Sequence, residues 1–198
     1  MAEWLSIIGI GEDGADGLPK SSRDALAGAE VVFGGPRHLA MVDHPDRRAW
    51  PVPFSIAPVL ALRGRRVAVL ASGDPFWHGA GGSLAAALAP GEWRAFPAPS
   101  VFSLAAARMG WRLEETACLG LHATPLQRLR PHLAPGARVI ATLRDGAAVA
   151  ALAGWLEAQG FGETRITVME RLGGPEERLR AVRAAGFAVE GIGALVAV

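Results

Sequence analysis

The sequence lacks several residues that define common classes of protein. It has no tyrosine, a single lysine at Lys20 and a single cysteine at Cys118. One cysteine excludes both a disulfide framework and a cysteine-based zinc site. No apolar run approaches the roughly 20 residues of a membrane span, and the first residues lack the basic stretch of a signal peptide. The net charge of only +1 gives no reason to expect a nucleic-acid partner. Taken together, these absences predict a cytoplasmic protein whose partners include neither a membrane nor a nucleic acid.

The residues that are present favour an α/β fold. Hydrophobic residues make up 51% of the 198-residue chain, which is enough for a sizeable buried core. Short, continuous apolar runs predict strands that are covered on both faces, and they lie at 4–10, 30–34, 67–71, 117–121, 138–143, 165–169 and 193–198. Helical patterns alternate with these runs and predict helices over Leu84–Leu88, Leu104–Met109, Ala147–Leu156 and Glu176–Ala184. Such alternation is typical of mostly parallel sheets.

Local signals support two of these helices and a division of the chain. Asp145 is a suitable N-cap for the helix over Ala147–Leu156, and Pro175 is placed to begin the helix over Glu176–Ala184. The chain changes character at 96–103, where FPAPSVFS carries two prolines and two serines after a predicted strand at Trp93–Phe96. Each half then has its own strands and helices. We therefore predict two αβα lobes, residues 1–110 and 111–198.

A glycine motif follows the first predicted strand. Residues 9–14, GIGEDG, have the GxGxxG spacing of a dinucleotide-binding loop. In that fold a helix starts within the motif and its N-terminus holds a pyrophosphate, but Gly17 and Pro19 oppose an immediate helix here. Glu12 and Asp13 would also repel a pyrophosphate. The motif is therefore either a glycine loop that borders another ligand or a plain loop.

The stretch LASGDPFWHGAG, residues 70–81, ends another predicted strand in a corner of small residues. Ligands of open α/β sheets bind beyond the carboxyl ends of the strands, and Gly73 would let a ligand approach the main chain closely. Asp74 could accept hydrogen bonds from that ligand. Alternatively, Asp74 is the N-cap of a helix that has Pro75 at its first position. The five histidines, including His78 and His122 just after strands, have no metal-ligand spacing, and we expect no metal site.

Six stretches, in this order and spacing, resemble the tetrapyrrole (corrin and porphyrin) methyltransferases, which use S-adenosylmethionine. They are WLSIIGIGEDGADGL, GAEVVFGGPRHL, VAVLASGDPFWHGAG, FPAPSVFSLAAARMGW, CLGLHAT and VMERLGGPEERL. The resemblance covers essentially the whole chain and implies two αβα lobes with the cofactor cleft between them. Details such as Gly35-Pro36-Arg37-His38 resemble the branch that methylates carbon 5 of a precorrin in cobalamin biosynthesis.

The resemblance also implies roles for individual residues. The cofactor-binding residues it implies are Gly11, Gly73, Asp74, Trp77, Ser100, Val101, Leu121 and His122. Val101 stands where the family has a second serine, so one hydroxyl is lost. Met169 and Glu170 would lie near the same cleft. Arg37 is implied as a ligand of the carboxylate-rich substrate, whereas the catalytic residue stays unassigned, with Asp13, His78, His122 and Glu170 as the candidates for a general base.

The same resemblance implies partners and leaves alternatives. In part of this branch the C5-methylating module is joined to a second methyltransferase domain that decarboxylates an acetate side chain, so we expect such a domain or subunit as a partner. A homo-oligomer is also expected. Another precorrin methyltransferase of the same fold, or a non-catalytic module that only binds a tetrapyrrole, are the alternatives.

Overall fold

The computed structural model describes residues 3–193 and 196–198, which form two compact units, one ending at Ser100 and the other beginning at Val101. The first unit contains a five-stranded, wholly parallel sheet of order β3-β2-β4-β1-β5. Its elements in chain order are β1 Leu5–Ile10, α1 Lys20–Ala27, β2 Val31–Gly34, α2 Pro36–Ala40, β3 Arg47–Ala49, α3 Ala57–Leu60, β4 Val67–Ser72, α4 Ala80–Ala87 and β5 Trp93–Phe96. The short β3 is a strand that the apolar pattern did not predict.

Helices cover both faces of this first sheet, as the continuous apolar runs predict. Successive strand residues point to opposite faces, so the side chains of each apolar run pack into two separate cores. On one face, Ile7, Phe33 and Val69 pack with residues of α3 and α4. On the other face, the core is formed by Ile8 and Leu70 together with residues of α1 and α2. The first unit is therefore an αβα sandwich.

The strand order of the first sheet contains a switch point between β2 and β4. The chain leaves β2 toward β3 on one side, whereas it leaves β4 toward β5 on the other side. Connections that diverge in this way leave a crevice at the carboxyl ends of the strands, where ligands of open α/β sheets bind. In this unit the switch point lies between the segments that begin at Gly35 and Gly73.

The second unit has a mixed sheet of order β6-β7-β10-β8-β9, in which β6 and β7 are parallel and the other neighbours are antiparallel. Its elements are α5 Val101–Met109, β6 Ala117–Gly120, β7 Val139–Leu143, α6 Gly146–Ala158, β8 Arg165–Glu170, β9 Arg178–Arg183 and β10 Val196–Ala197. Helix α6 packs on one face and α5 on the other. Asp145 caps α6, because its Oδ1 accepts a hydrogen bond of 2.9 Å from Ala148 N.

The helix expected over Glu176–Ala184 is wrong, because this segment contains strand β9. β9 pairs antiparallel with β8, from Glu170 opposite Arg178 to Arg165 opposite Arg183. The sequence RLRAVR can lay Arg178 and Arg180 on one side of a strand, which lets both reach Glu170. This long-range pairing outweighs the helix-start signal at Pro175. The prediction of mostly parallel sheets is thus correct for the first unit and wrong for the second.

Two further boundaries differ from the sequence pattern. The strand predicted over 193–198 includes residues 194 and 195, which lie outside the described residues, and β10 occupies Val196–Ala197. Helix α5 packs with β7 and β10 and groups with the second unit, although the expected lobe boundary at residue 110 places it in the first. Within the described ranges, no helix has the length and apolar character needed to cross a membrane.

Candidate functional site

The main chain of Gly73 ties together the carboxyl ends of three strands. Its N–H donates to Ile10 O of β1 at 3.0 Å, and its carbonyl accepts from Ala98 N, just after β5, at 3.1 Å. Its φ is +54°, a left-handed conformation that favours glycine. A Cβ at this position would lie 2.8 Å from Pro99 O. A glycine is therefore needed at residue 73 to form this corner, which lies at the switch point of the sheet.

Gly9 is a second glycine on which this corner depends, and the sequence-based list of site residues omits it. A Cβ on Gly9 would lie 1.9 Å from Gly73 O and 2.6 Å from Ala98 N, both main-chain atoms. Gly9 lies inside β1, in a run that is otherwise apolar. An isolated glycine within a strand marks a close approach of another backbone, and that signal could have identified it.

Asp74 holds a local turn and does not cap a helix. Its Oδ1 accepts a hydrogen bond of 2.9 Å from Phe76 N, and its carbonyl accepts one of 3.1 Å from Trp77 N. Helix α4 begins only at Ala80, after Gly79 in the N-cap position. The alternative in which Asp74 caps a helix that has Pro75 at its first position is therefore wrong.

Two aromatic side chains project from the turn that follows Asp74. Trp77 is 46% exposed and stacks edge-on against the His78 ring, with the centroids 5.9 Å apart. Phe76 packs on Trp93 at 5.7 Å. His78 has a φ of 54°, which is unusual for a residue other than glycine. The turn therefore offers an exposed indole ring beside the glycine corner.

The glycine loop after β1 forms a short 3-10 turn at Gly14–Gly17, and α1 starts only at Lys20. Gly11 lies at the beginning of the loop, and its carbonyl accepts a hydrogen bond of 3.2 Å from Gly14 N. The expected lack of an immediate helix is confirmed. The loop does not present the helix N-terminus that holds a pyrophosphate in dinucleotide-binding folds.

Arg37 lies in α2, directly after β2, and its guanidinium contacts residues from three other points along the chain. Nη1 forms an ion pair with Glu12 of the glycine loop, and Nη2 donates to Ser72 Oγ at 2.9 Å. Nη2 also lies 3.3 Å from His38 Nε2, which is 2.8 Å from the same Ser72 hydroxyl. These four side chains, Glu12, Arg37, His38 and Ser72, are called the edge cluster below.

His38 is neutral at pH 7. Burial, and then the nearby charge of Arg37, lower the pKa of His38 to about 4. Because a guanidinium has no acceptor atom, the contact with Arg37 makes Nε2 the hydrogen-bond acceptor and leaves the proton on Nδ1. Nδ1 is buried and has no hydrogen-bond partner among the described residues. The edge cluster therefore contains one positive charge, on Arg37, and one negative charge, on Glu12.

The remaining cofactor residues implied by the resemblance lie at the end of the first unit and in the second. Ser100 is the last residue of the first unit, and its Cα would lie 3.1 Å from a Cβ built on Gly73. Val101 opens α5. Leu121 is buried directly after β6, where its N–H donates to Thr142 O at 2.9 Å, and His122 follows it. The structure thus brings Gly11, Gly73, Asp74 and Ser100 to one edge of the first sheet.

Glu170 is a structural residue and a poor candidate for a general base. It is 6% exposed, and its carboxylate accepts from Arg178 Nη2 at 2.9 Å, Arg180 Nη2 at 2.6 Å and Gly193 N at 2.8 Å. Burial alone would raise the pKa of Glu170, but the hydrogen bonds from Arg178, Gly193 and Arg180 lower it to about 2. Its carboxylate is held as the anion and is fully engaged.

An apolar cavity of about 170 Å³ in the second unit is separate from these residues. It is lined by the first residues of β7 and β8, Val139 and Arg165, and by Trp111 and Leu156. Leu121 and His122 follow β6 at the opposite, carboxyl edge of the parallel β6–β7 pair. Over the described part of the chain, no group of three or more His, Cys, Asp or Glu side chains could hold a metal ion.

Comparison with known proteins identifies the family. The family model of the tetrapyrrole (corrin/porphyrin) methylases matches residues 5–188. A precorrin-6Y C(5,15)-methyltransferase (decarboxylating) from Sinorhizobium sp is 46% identical over 192 residues, which cover 94% of this chain and 46% of that protein. The chain thus spans about half the length of this relative.

A shorter relative and a solved structure agree with this assignment. A cobalt-precorrin-7 C(5)-methyltransferase from Salmonella typhimurium is 26% identical over 182 residues, covering 88% of each chain. The crystal structure of a cobalamin-biosynthesis precorrin-6Y methylase from Archaeoglobus fulgidus is 24% identical and superposes with a TM-score of 0.68, covering 98% of this chain and 97% of that chain. The latter supports the fold, and the family-model match decides the assignment. The chain belongs to the tetrapyrrole (corrin/porphyrin) methylases.

Proposed function

We propose that this chain methylates carbon 5 of a precorrin, using S-adenosylmethionine as the methyl donor, in cobalamin biosynthesis. The observation that carries the proposal is the 46% identity to the Sinorhizobium precorrin-6Y C(5,15)-methyltransferase over 94% of this chain. The Salmonella relative has nearly the same length as this chain, and its name refers to carbon 5 alone. The matched half of the longer relative is therefore proposed to be the C5-methylating half, acting in the cytoplasm.

The edge of the first sheet fits the proposed methyl donor. The Gly73 corner holds the ends of β1, β4 and β5 together at the switch point, and the proposal places the adenosyl group at this edge of the sheet. Asp74 adds a partly exposed carboxylate, which suits hydroxyl or ammonium groups of such a molecule. The exposed ring of Trp77 offers a flat apolar surface. Gly11, Ser100, Val101, Leu121 and His122 complete the proposed set.

The chemistry needs positioning more than it needs acid or base groups. When bound, S-adenosylmethionine supplies an electrophilic methyl group. A bond forms between the substrate carbon and this methyl carbon, the methyl–sulfur bond breaks, and its electron pair stays on sulfur. Holding the two reactants in line can supply several kcal/mol of the rate enhancement. The ion pairs of Glu170 disfavour it as the group that removes a proton, and we propose Asp13, His78 and His122 as the candidates.

The acidic substrate proposed here fits a basic group at the same edge. Precorrins carry many carboxylates, and Arg37 is partly exposed at the carboxyl end of the first sheet. A guanidinium binds a carboxylate through two parallel hydrogen bonds. We therefore propose Arg37 as a substrate ligand.

A second, decarboxylating methyltransferase domain is proposed as a partner, because the Sinorhizobium relative is about twice as long as the matched region. A homo-oligomer stays a prediction.

The decisive experiment is a labelled methyl-transfer assay. The protein is incubated with methyl-labelled S-adenosylmethionine and the precorrin substrate of the C5,15 enzyme, with and without the second domain of the Sinorhizobium relative. Without the second domain we expect one labelled methyl group, located on carbon 5 by NMR, and with it a second labelled methyl group on another carbon. A label on another carbon in the absence of that domain would instead support another precorrin methyltransferase, and saturable precorrin binding without any methylation would support a non-catalytic binding module.

Variants of Asp74 test the proposed cofactor site. Asp74→Asn keeps an oxygen that can accept from Phe76 N, so the turn is retained while the charge is lost. Asp74→Ala loses both. If the carboxylate binds the methyl donor, both variants should weaken S-adenosylmethionine binding about tenfold or more in calorimetry. Normal affinity in Asp74→Asn, with loss only in Asp74→Ala, would mean that Asp74 serves the turn alone.

A further inference from the structure

The ion pair between Arg37 and Glu12 occupies the group that we propose for substrate binding. The two side chains come from different loops at the carboxyl edge of the first sheet, Arg37 after β2 and Glu12 after β1. The Arg37 side chain is 41% exposed and that of Glu12 is 28% exposed. An ion pair at this exposure contributes little net stability, because water and salt solvate both charges when the pair separates. Its partners can therefore be exchanged.

The rest of the edge cluster fixes the direction of Arg37 without neutralising it. Ser72 Oγ accepts from Arg37 Nη2 at 2.9 Å, and Ser72 in turn can donate to His38 Nε2 at 2.8 Å. Both of these partners are uncharged. Glu12 is thus the one anion bound to the Arg37 guanidinium among the described residues. Any carboxylate that approaches this guanidinium meets a side chain that is already oriented.

Glu12 lies on a segment that can move it away from Arg37. Gly11 precedes it, and Gly14 follows with a φ of +65° in the short 3-10 turn. Glycines restrict the backbone less than other residues do, so the loop can re-orient Glu12 at low cost. Arg37, in contrast, is anchored on α2, with His38 beside it. The carboxylate is therefore the more easily displaced member of the pair.

We propose that Glu12 is an internal competitor for the substrate: its carboxylate and a carboxylate side arm of the acidic tetrapyrrole bind the same guanidinium of Arg37. This inference rests on the proposed function. Glu12 then sets the affinity for the acidic substrate and discriminates against ligands that lack a carboxylate at this position, since these cannot displace it. Ser72 and His38 act as positioning residues through Arg37.

The test is a double-mutant cycle on substrate KM. Glu12→Gln removes the competing charge and should lower the KM for the precorrin about two- to fivefold, the range expected from a partly exposed ion pair. Arg37→Gln should raise this KM about tenfold or more. In the double variant, Glu12→Gln should add less than a twofold change, because the group for which it competes is gone. The effects should be carried by KM and not by kcat.

Glu30→Gln is the matched control. Glu30 is a glutamate of the same unit that pairs with Arg65 and Arg66, but it precedes β2 and lies at the opposite, amino edge of the sheet. Its substitution removes the same charge and should leave the precorrin KM within about twofold of that of the parent protein. An equal fall of KM in Glu30→Gln would mean that net charge is responsible, and it would overturn the inference.

Two further results separate this inference from the proposed function. An active parent protein combined with an unchanged or raised KM in Glu12→Gln would overturn the inference alone. A lower KM that persists in the Arg37→Gln background would overturn it as well. A parent protein that transfers no methyl group to the precorrin would overturn the proposed function and the inference that rests on it. Thermal unfolding of each variant identifies any loss that comes from misfolding.

Discussion

The edge cluster of the first unit and the Glu170 cluster of the second use charged residues in opposite ways. In the first unit, Arg37 meets one carboxylate and two neutral groups, and the ion pair with Glu12 is partly exposed. In the second unit, the carboxylate of Glu170 is 6% exposed and is bound by two arginines and a backbone N–H. The edge cluster leaves Arg37 able to change partner, whereas the carboxylate of Glu170 is fully engaged by its hydrogen-bond donors.

The two clusters also differ in the backbone segments that they connect. Glu170 ends β8 and connects this strand to β9 and to the segment at Gly193, so its ion pairs hold the second sheet together. The edge cluster joins side chains at strand ends that the main chain already fixes through Gly73. Charge therefore serves stability in the Glu170 cluster. In the edge cluster we propose that it is available for a ligand, because the main chain at Gly73 already fixes the strand ends.

The most severe way to break the first unit is to add a methyl group to its corner. Gly9→Ala would place a Cβ against the main chain of Gly73 and Ala98, neither of which can rotate away. We expect a loss of about 3 kcal/mol or more in the free energy of unfolding, measured by urea denaturation. Gly82→Ala in α4, where a Cβ meets nothing within 4 Å, should instead gain up to about 1 kcal/mol. Equal stabilities for the two variants would contradict the tight corner.

The corresponding change in the second unit is Glu170→Gln. It leaves Arg178 and Arg180 without their buried counter-charge, and we expect a loss of about 3 kcal/mol in urea denaturation. Glu163→Gln is the control, because Glu163, just before β8, forms an exposed pair with Arg183 of β9 and should change stability by less than about 1 kcal/mol. A small effect of Glu170→Gln would show that the cluster is not structural.

Acid should separate the two clusters. The pKa of His38 is lowered from 6.5 to about 4, so the unfolded chain binds a proton more readily between these values and stability falls as the pH falls from about 6.5 to 4. The pKa of Glu170 is lowered from 4.5 to about 2, so its contribution is present above about 4.5 and is lost as the pH falls toward 2. His38→Gln should therefore reduce the loss of stability between pH 6.5 and 4 by about 3 kcal/mol. An unaltered pH dependence in denaturation curves of this variant would rule out a neutral, half-buried His38.

The smallest effect sharpens the contrast between the clusters. Arg37→Gln should reduce the free energy of unfolding by less than about 1 kcal/mol, because its ion pair with Glu12 is partly exposed. A loss comparable to that of Glu170→Gln, again by urea denaturation, would mean that Arg37 is a structural residue and would weaken its proposed role in binding.

The sequence predicts the first unit well because its signals are local. Continuous apolar runs identify β1, β2 and β4, and the corner at Gly73, which follows β4, lies at the switch point. Gly9 could have been recognised from its position inside a strand. The contact that requires it, with Gly73 O, joins residues 64 positions apart and is not visible in either stretch alone.

The second unit shows where local signals fail. Gly173, Gly174 and Pro175 are typical of a helix start, yet the residues that follow form β9, because their partners are on β8 and at Glu170. Likewise, the sequence alone allows Glu170 as a general base and gives Glu12 only a repulsive charge, whereas the fold pairs Glu170 with two arginines and Glu12 with Arg37. Ion-pair partners are set by the fold and not by spacing.

The shortage of lysine has a consequence at the borders of the two sheets. An outermost strand carries unpaired N–H and C=O groups onto which a strand of another molecule can add, and charged side chains on that strand oppose such growth. Here β3 carries Arg47 and Arg48, and β9 carries Arg178, Arg180 and Arg183. Arginine thus takes the protective role that lysine often has, and its charge on these two edge strands opposes edge-to-edge pairing with another molecule.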